Sequence, residues 1–467
     1  MYPVTLCGIT ICDHGPETIC GMGRGCCHSP SSYIMDQCSD TDVPCPGFSY
    51  GRVTTPFVDN DRYFLDSTLP SVMRLGTVPL MFLIILLSVF GPLSTDMYLS
   101  GLPQMVLDFN TDEATLNMSL YMFMLVLSFS ILFMGPISDK YGRRRILILT
   151  MAIYVLSNLA CCFVDNIWLF IVLRMVQAFG GAGAMVSAFA LIKDCFEGPE
   201  RARILSVTAT LGILGPMLSP VIGTVLINAY GWHSTFYAPA LVGLICLVMG
   251  AMLPGSLPEE RLTGTVLNSI GRLGAVVRDK GFTMFMMMIC IFTMAQLAYI
   301  SVSSYIYQEN FGLSTTEYSL ALCGACILAL ILSNIVRRLG LSNMGVVRVV
   351  FALGILSMVM MATVAHFGWL WFMLSIVPCC SNTITARAFG YVILMNHHDG
   401  DNGSVSSVLN FNTFILAFFG MIIASNFPSD MFIMAIAAVL AICCTIFVVM
   451  WYLLRKNGYP VKGLIES

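Results

Sequence analysis

Gly135-Pro136-Ile137-Ser138-Asp139-Lys140-Tyr141-Gly142-Arg143-Arg144-Arg145 closes one long apolar run and opens the next. Two glycines permit a tight reversal, since glycine tolerates positive φ. Asp139 can accept from backbone N–H groups or pair with the arginines that follow. Four basic residues within six positions hold such a loop on one side of a bilayer. A charged loop between apolar runs is common to many membrane proteins, so the surrounding chain has to decide the fold.

Outward from that loop the chain is overwhelmingly apolar. Of its 467 residues, 57% are hydrophobic and only 10% charged, against about 25% charged in soluble domains. A spanning helix needs about 20 apolar residues. Such runs fall near 77–107, 115–137, 146–164, 167–190, 204–229, 233–253, 281–308, 318–336, 347–366, 369–392, 404–427 and 431–453. The expected fold is an all-α integral membrane protein with twelve transmembrane helices.

The basic residues fall in every second connection. Arg143–Arg145, then Lys193, Arg201 and Arg203, then Arg261, Arg272, Arg278 and Lys280, then Arg337, Arg338 and Arg348, and finally Arg455, Lys456 and Lys462 follow even-numbered spans. The alternate connections carry none. The positive-inside rule makes the basic loops and both termini cytoplasmic. Only the tenth-to-eleventh connection is weak, with Arg387 and the solvated pair His397–His398 nearby. The net charge of −3 gives no footprint for nucleic acid, because the charges sit in these loops.

The longest connection divides the chain into halves of six spans. The expected organisation is 1–72 as a tail, 73–253 and 281–453 as two six-helix bundles, 254–280 as a cytoplasmic linker and 454–467 as a cytoplasmic tail. Residues 1–72 hold seven of the eighteen cysteines without a C-x-x-C pair, in a reducing compartment. They read as a disordered tail, or as sequence upstream of a start at Met73, rather than as a metal or disulfide module. No metal site or cofactor is expected. Nor is catalysis, since the spans hold no Ser–His–Asp set and no phosphate-binding glycine loop.

Three motifs carry a resemblance. The Gly135–Arg145 loop resembles the signature loop of the major facilitator superfamily, in which its aspartate helps latch the cytoplasmic side; Gly135, Asp139, Gly142, Arg143 and Arg144 are the matching positions. Leu173-Arg174-Met175-Val176-Gln177-Ala178-Phe179-Gly180-Gly181-Ala182-Gly183 resembles the fourth-helix motif of that superfamily's drug:proton antiporters. Gly212–Gly223, with Gly215, Pro216, Pro220 and Gly223, is similar to their fifth-helix antiporter motif, although Thr224 replaces a second glycine. Ser94-Thr95-Asp96-Met97-Tyr98-Leu99-Ser100-Gly101-Leu102-Pro103, Lys193–Gly198 and Tyr299–Ser314 resemble the bicyclomycin-resistance-type exporters. The resemblance covers roughly 74–453. It implies two pseudo-symmetric six-helix bundles around a cavity, and proton-coupled export across the cytoplasmic (inner) membrane. Some of those exporters carry a second first-helix carboxylate where this chain has Ser88, so Asp96 would act alone.

Asp96 is the only acidic residue within any of the twelve runs. Insertion scales charge about 2.5–3.5 kcal/mol for a carboxylate at mid-depth, which makes it a functional candidate by default. Counting inward from Asp108 and Asp165 at about 1.5 Å per residue puts Asp96 about 18 Å and Arg174 about 13 Å deep. Arg174 is therefore the expected partner of Asp96. Burial and a neighbouring guanidinium act oppositely on a carboxyl's proton affinity, and a balance between them suits proton loading and release. Asp96 and Arg174 are the expected proton-coupling residues. Tyr98, Tyr121, Gln177, Tyr299, Asn410 and Asn412 are candidates for the cavity wall, and Arg387 is expected to snorkel to the inner interface.

The expected activity is antiport of protons against a small lipophilic drug by a monomer in the bilayer. An exporter of an endogenous metabolite, such as an amino-acid derivative, stands beside it. A non-transporting sensor or scaffold would be expected to have lost Asp96, Arg174 or the Asp139 loop.

Overall fold

A computed structural model describes residues 77–253, 277–397 and 402–459, with 274 and 461 besides. The 1–72 segment, most of the inter-bundle connection and the loop at His398 lie outside these residues. The first half comprises α1 (Thr77–Ser88), α2 (Phe90–Thr95), α3 (Leu102–Asp108), α4 (Glu113–Tyr141), α5 (Arg143–Cys161), α6 (Ile167–Cys195), α7 (Gly198–Tyr230) and α8 (Ser234–Met252). The second comprises α9 (Lys280–Tyr305), α10 (Thr315–Arg338), α11 (Asn343–Thr363), α12 (Trp369–His397), α13 (Asn402–Ser425) and α14 (Phe432–Lys456). Ten helical stretches among the described residues are long and apolar enough to cross a membrane, and bent pairs at α1–α3 and within α7 raise the number to twelve. Large apolar side chains such as Val225, Leu241, Val248, Leu320 and Val392 are exposed. A soluble protein rarely leaves so much apolar surface uncovered; here it faces lipid.

Short polar residues start the helices. Asp112 accepts from the Thr115 backbone N–H at 3.0 Å to cap α4, and Asn166 accepts from Trp168 and Leu169 to cap α6. Ser314 and Glu317 form a reciprocal capping box on α10. These side chains satisfy N–H groups that no helical carbonyl can reach.

The first span is not continuous. It bends by 41° at Val89, three residues before Pro92. Proline lacks an N–H and its ring crowds the carbonyl four residues back, here Ser88. A second disturbance follows: Asp96–Tyr98 form a turn and Leu99–Gly101 a 3₁₀ turn before α3 restarts with Pro103 in its first turn. α7 bends by 45° between Gly212 and Leu214, again just before a proline, Pro216.

Within the first half α6 packs on α4 and α5, and α5 on α8; within the second α9 packs on α12, α13 and α14. The halves meet where α4 lies along α13 and α7 along α10. Bonds that join them gather at the Asp108 end. Gln308 Nε2 donates to Ser100 O at 3.1 Å, Thr224 Oγ1 is 3.3 Å from Thr315 O, and Asn228 exchanges hydrogen bonds with Thr315 and Thr316. Toward the Asp139 end no hydrogen bond joins the halves among the described residues, and Arg387 is exposed.

Candidate transport site

Asp96 sits at the break in the first span, 6% exposed. Its Oδ1 accepts from Thr95 Oγ1 at 2.8 Å. Tyr318 and Cys326 of α10, in the opposite half, lie within electrostatic reach of the carboxylate. No ion pair joins it to Arg174 among the described residues.

Arg174 has other partners. The break at Asp96–Tyr98 frees the Ser94 carbonyl, and Arg174 Nη1 donates to it at 2.9 Å. Nη1 also donates to Gln177 Oε1, and Nη2 to Tyr98 Oη at 3.2 Å. The guanidinium lies 4.6 Å from the Tyr98 ring centre and 4.5 Å from that of Phe123. Further bonds run from Gln177 to Asn158, from Ser94 to Tyr154 and from Tyr98 to Ser119, all buried. A buried cation without a carboxylate costs several kcal/mol. Charge-assisted hydrogen bonds at about 1.5–3 kcal/mol each, with two aromatic faces, offset that cost. The expected Asp96–Arg174 pair is thus replaced by a clamp in which Arg174 holds the broken backbone. Matched depth was legible in the sequence; the rotation of each side chain about its helix was not. Pro92 and Pro103 were the available signals for an irregular first span.

The fifth-helix glycines meet the same break. A Cβ on Gly223 would lie 1.8 Å from Met97 O, and one on Gly215 2.7 Å from Pro92 Cγ. Thr224, the departure from the family pattern, donates to Ser100 Oγ at 2.8 Å. The second half repeats the device: a Cβ on Gly420 of α13 would lie 2.0 Å from Met294 O on α9. Pro216 and Pro220 lie inside α7.

In the Gly135–Arg145 loop, Gly142 has φ +101°, a conformation side chains resist, and lets α4 turn directly into α5. Arg143 pairs with Asp139 and, at 2.9 Å through Nε, with Asp194. Arg144 donates to the Ala251 carbonyl. Asp194 lies within the Lys193–Gly198 stretch, and its pairing with Arg143 has no signal of its own in the sequence. Gly135 has open space around its Cα.

Among the cavity candidates, Gln177 and Tyr98 belong to the Arg174 network. Tyr299 is buried, with its hydroxyl 2.9 Å from that of Tyr307. Tyr121 lies edge-on to Phe418 across the seam between halves. Asn410 accepts from Arg387 Nη2 at 3.2 Å. Asn412 is buried, and its Nδ2 has no hydrogen-bond partner. Arg387, expected at the inner interface, is exposed and bonds to Asn410 on a neighbouring helix.

The sequence model described as Major Facilitator Superfamily matches residues 84–421. The chain belongs to the major facilitator superfamily. It is 28% identical over 245 residues to the uncharacterized MFS-type transporter YdgK of Bacillus subtilis, covering 52% of this chain and 61% of that one. It is 27% identical over 244 residues to the multidrug resistance protein MdtL of Klebsiella pneumoniae, covering 52% and 62%. The chain thus spans about six tenths of the length of the curated relatives it matches. Among solved structures it is similar to the nucleoside transporter NupG, with TM-score 0.62 and 14% identity over 81% of this chain and 98% of that one. A peptide transporter, POT, gives TM-score 0.65 at 12% identity over 82% and 96%. These transporters share their fold with this chain.

Proposed function

We propose that this transporter is a proton-coupled antiporter that exports small lipophilic molecules, with Asp96 as the proton-carrying group. The observation that carries the reading is a buried carboxyl placed at a break in the first span, near the other half and, among the described residues, held by no cation. Such a group gains or loses a proton according to which side water reaches it from. Its charge then changes at the seam where the two halves move. The names of relatives such as MdtL support multidrug efflux as the substrate class.

In this reading the basic ends are cytoplasmic, so the Asp108 end, where hydrogen bonds join the halves, is the outer one. Asp96 releases its proton inward as substrate binds, and the halves then part at Gln308–Ser100 and Asn228–Thr315 to face outward. There Asp96 is reprotonated and substrate leaves. Arg174 keeps the unwound segment in place through both states. Arg143 with Asp139 and Asp194 ties α4, α5 and α6 together at the inner end. The test is drug susceptibility in an efflux-deficient bacterial strain expressing wild type or Asp96→Asn. Resistance raised by the wild type alone supports the reading; equal resistance from the two, at equal expression, would remove Asp96 from it.

A further inference from the structure

Two carboxyl groups meet across the seam at the Asp108 end. Glu113 opens α4 in the first half. Glu309 belongs to the second half, where α9 runs on into a π turn at Ile306–Asn310; single π turns are frequent at functional sites. The register of the two helices brings the acids together. Tyr305 Oη lies 3.5 Å from Asn117 Oδ1, with Asn117 one turn after Glu113 and Tyr305 one turn before Glu309. Beside them Gln308 Nε2 donates to the Ser100 carbonyl at 3.1 Å. Glu113 and Glu309 are themselves hydrogen-bonded, and no cation acts on either carboxyl. The other ionisable groups nearby are Asp112, which adjoins Glu113, and the buried Tyr305 phenol, which both acids face. Asp108 is engaged by Trp232 Nε1 at 2.6 Å, and Glu317 by the Ser314 cap. Asp430 is exposed in the turn before α14. A cleft of about 350 Å³, lined by Asp112, Glu113, Phe427 and Ser429 among others, opens beside the pair.

An ionised carboxylate only accepts hydrogen bonds, so this contact exists only while one of the two acids holds a proton. Both acids lie beyond the apolar runs 115–137 and 281–308. Partial burial, and then the neighbouring Glu309, push the Glu113 carboxyl up to about 7. We propose that Glu113 and Glu309 form a proton-operated latch between the two halves. With one proton shared, the carboxyls bind each other and close the Asp108 end. With that proton gone, two negative charges repel across the seam, Asp112 adds a third, and the end is released. The contribution to closure is therefore complete at low pH and lost as pH rises through the pair's own titration. The neighbouring Tyr305–Asn117 and Gln308–Ser100 contacts are uncharged, so the acids supply the pH dependence of this end. The latch is separate from Asp96 and needs no substrate. In the antiporter reading this end is the outer one, and an acidic exterior then favours its closure.

Amide hydrogen exchange of the purified full chain in detergent tests the latch, at about pH 5.5 and about pH 8.5 and corrected for the intrinsic pH dependence of exchange. In the wild type, segments 110–118 and 306–318 should exchange about tenfold faster at the higher pH, the scale of losing one charge-assisted hydrogen bond, while α5 stays unchanged and reports an intact fold. Glu113→Gln and Glu309→Gln keep a hydrogen-bonding pair with at most one charge, and each should remove the difference between the two pH values. Glu309→Lys sets an ammonium against the Glu113 carboxylate and should keep both segments protected at the higher pH. Asp96→Asn should retain the wild-type difference. Equal corrected exchange at the two pH values in the wild type, a difference that survives in both glutamine variants, or its loss in Asp96→Asn would each overturn the latch. Failure here is distinct from failure of antiport, because the measurement uses no substrate and no pH gradient.

Discussion

Asp96 and Arg174 show how far opposite charges at one depth can mislead. Both are buried and both sit at the proposed functional centre, yet the arginine uses its donors on a backbone carbonyl, a glutamine and a tyrosine. A forked guanidinium can reach Ser94 O and Tyr98 Oη together, whereas a lysine ammonium is a single point. Arg174→Lys is therefore expected to preserve expression and charge but slow transport by about tenfold or more, read from initial efflux rates in vesicles. An unchanged rate would mean that charge alone matters there. The identity of Asp96 was legible because an acid in an apolar run is costly. Its true neighbours were not, because side-chain direction depends on how each helix is rotated and on two proline-disturbed turns.

At the scale of elements, close approach between the first and fifth spans holds the break in place. Gly223→Ala would drive a Cβ into Met97 O, and overpacking of that kind costs about 1–3 kcal/mol. Thermal unfolding in detergent should show a clearly lower midpoint. Gly212→Ala, on the same helix with open space around it, should be neutral or stabilising by about 0.5–1 kcal/mol. A matched loss in both variants would contradict the packing account. The α4 cap supplies a pH test. Hydrogen bonds from the Thr115 side chain and backbone hold the Asp112 carboxyl below its usual 3.8. A depressed carboxyl stabilises fully above its unfolded value, and that contribution is lost as pH falls through the folded one. Asp112→Ala should lower the unfolding midpoint at pH 7, and the gap to wild type should shrink in strong acid. Caps such as Asp112, Asn166 and Ser314 were readable as polar residues ahead of apolar runs. The break at Asp96 was signalled only by Pro92 and Pro103 on either side, since Met97-Tyr98-Leu99 contains no helix breaker of its own.

For the molecule as a whole, the two halves are closed at one end by a few neutral hydrogen bonds across α7–α10 and the first span. Such bonds contribute about 0.5–1.5 kcal/mol each, a scale on which two conformations can stay close in energy. Removing Gln308 and Asn228 side chains together, as Gln308→Ala with Asn228→Ala, should raise amide hydrogen exchange at 98–110 and 306–318 and leave α5 unchanged. Unchanged exchange at those segments would mean the closure rests elsewhere. Helical class and the number of spans were legible from apolar run lengths. Which end is closed was not, because a transporter sequence encodes both states and no residue type marks the one adopted.

The central claim is that Asp96 carries the coupled proton. It is tested most directly in proteoliposomes loaded with a pH-sensitive dye, with dansyl-cadaverine and a chloramphenicol-type compound applied to wild type and Asp96→Asn side by side. The account expects substrate-dependent proton movement in the wild type and none in Asp96→Asn, with both proteins still binding substrate. Equal proton movement in the two would contradict it and place the coupling group elsewhere in the chain.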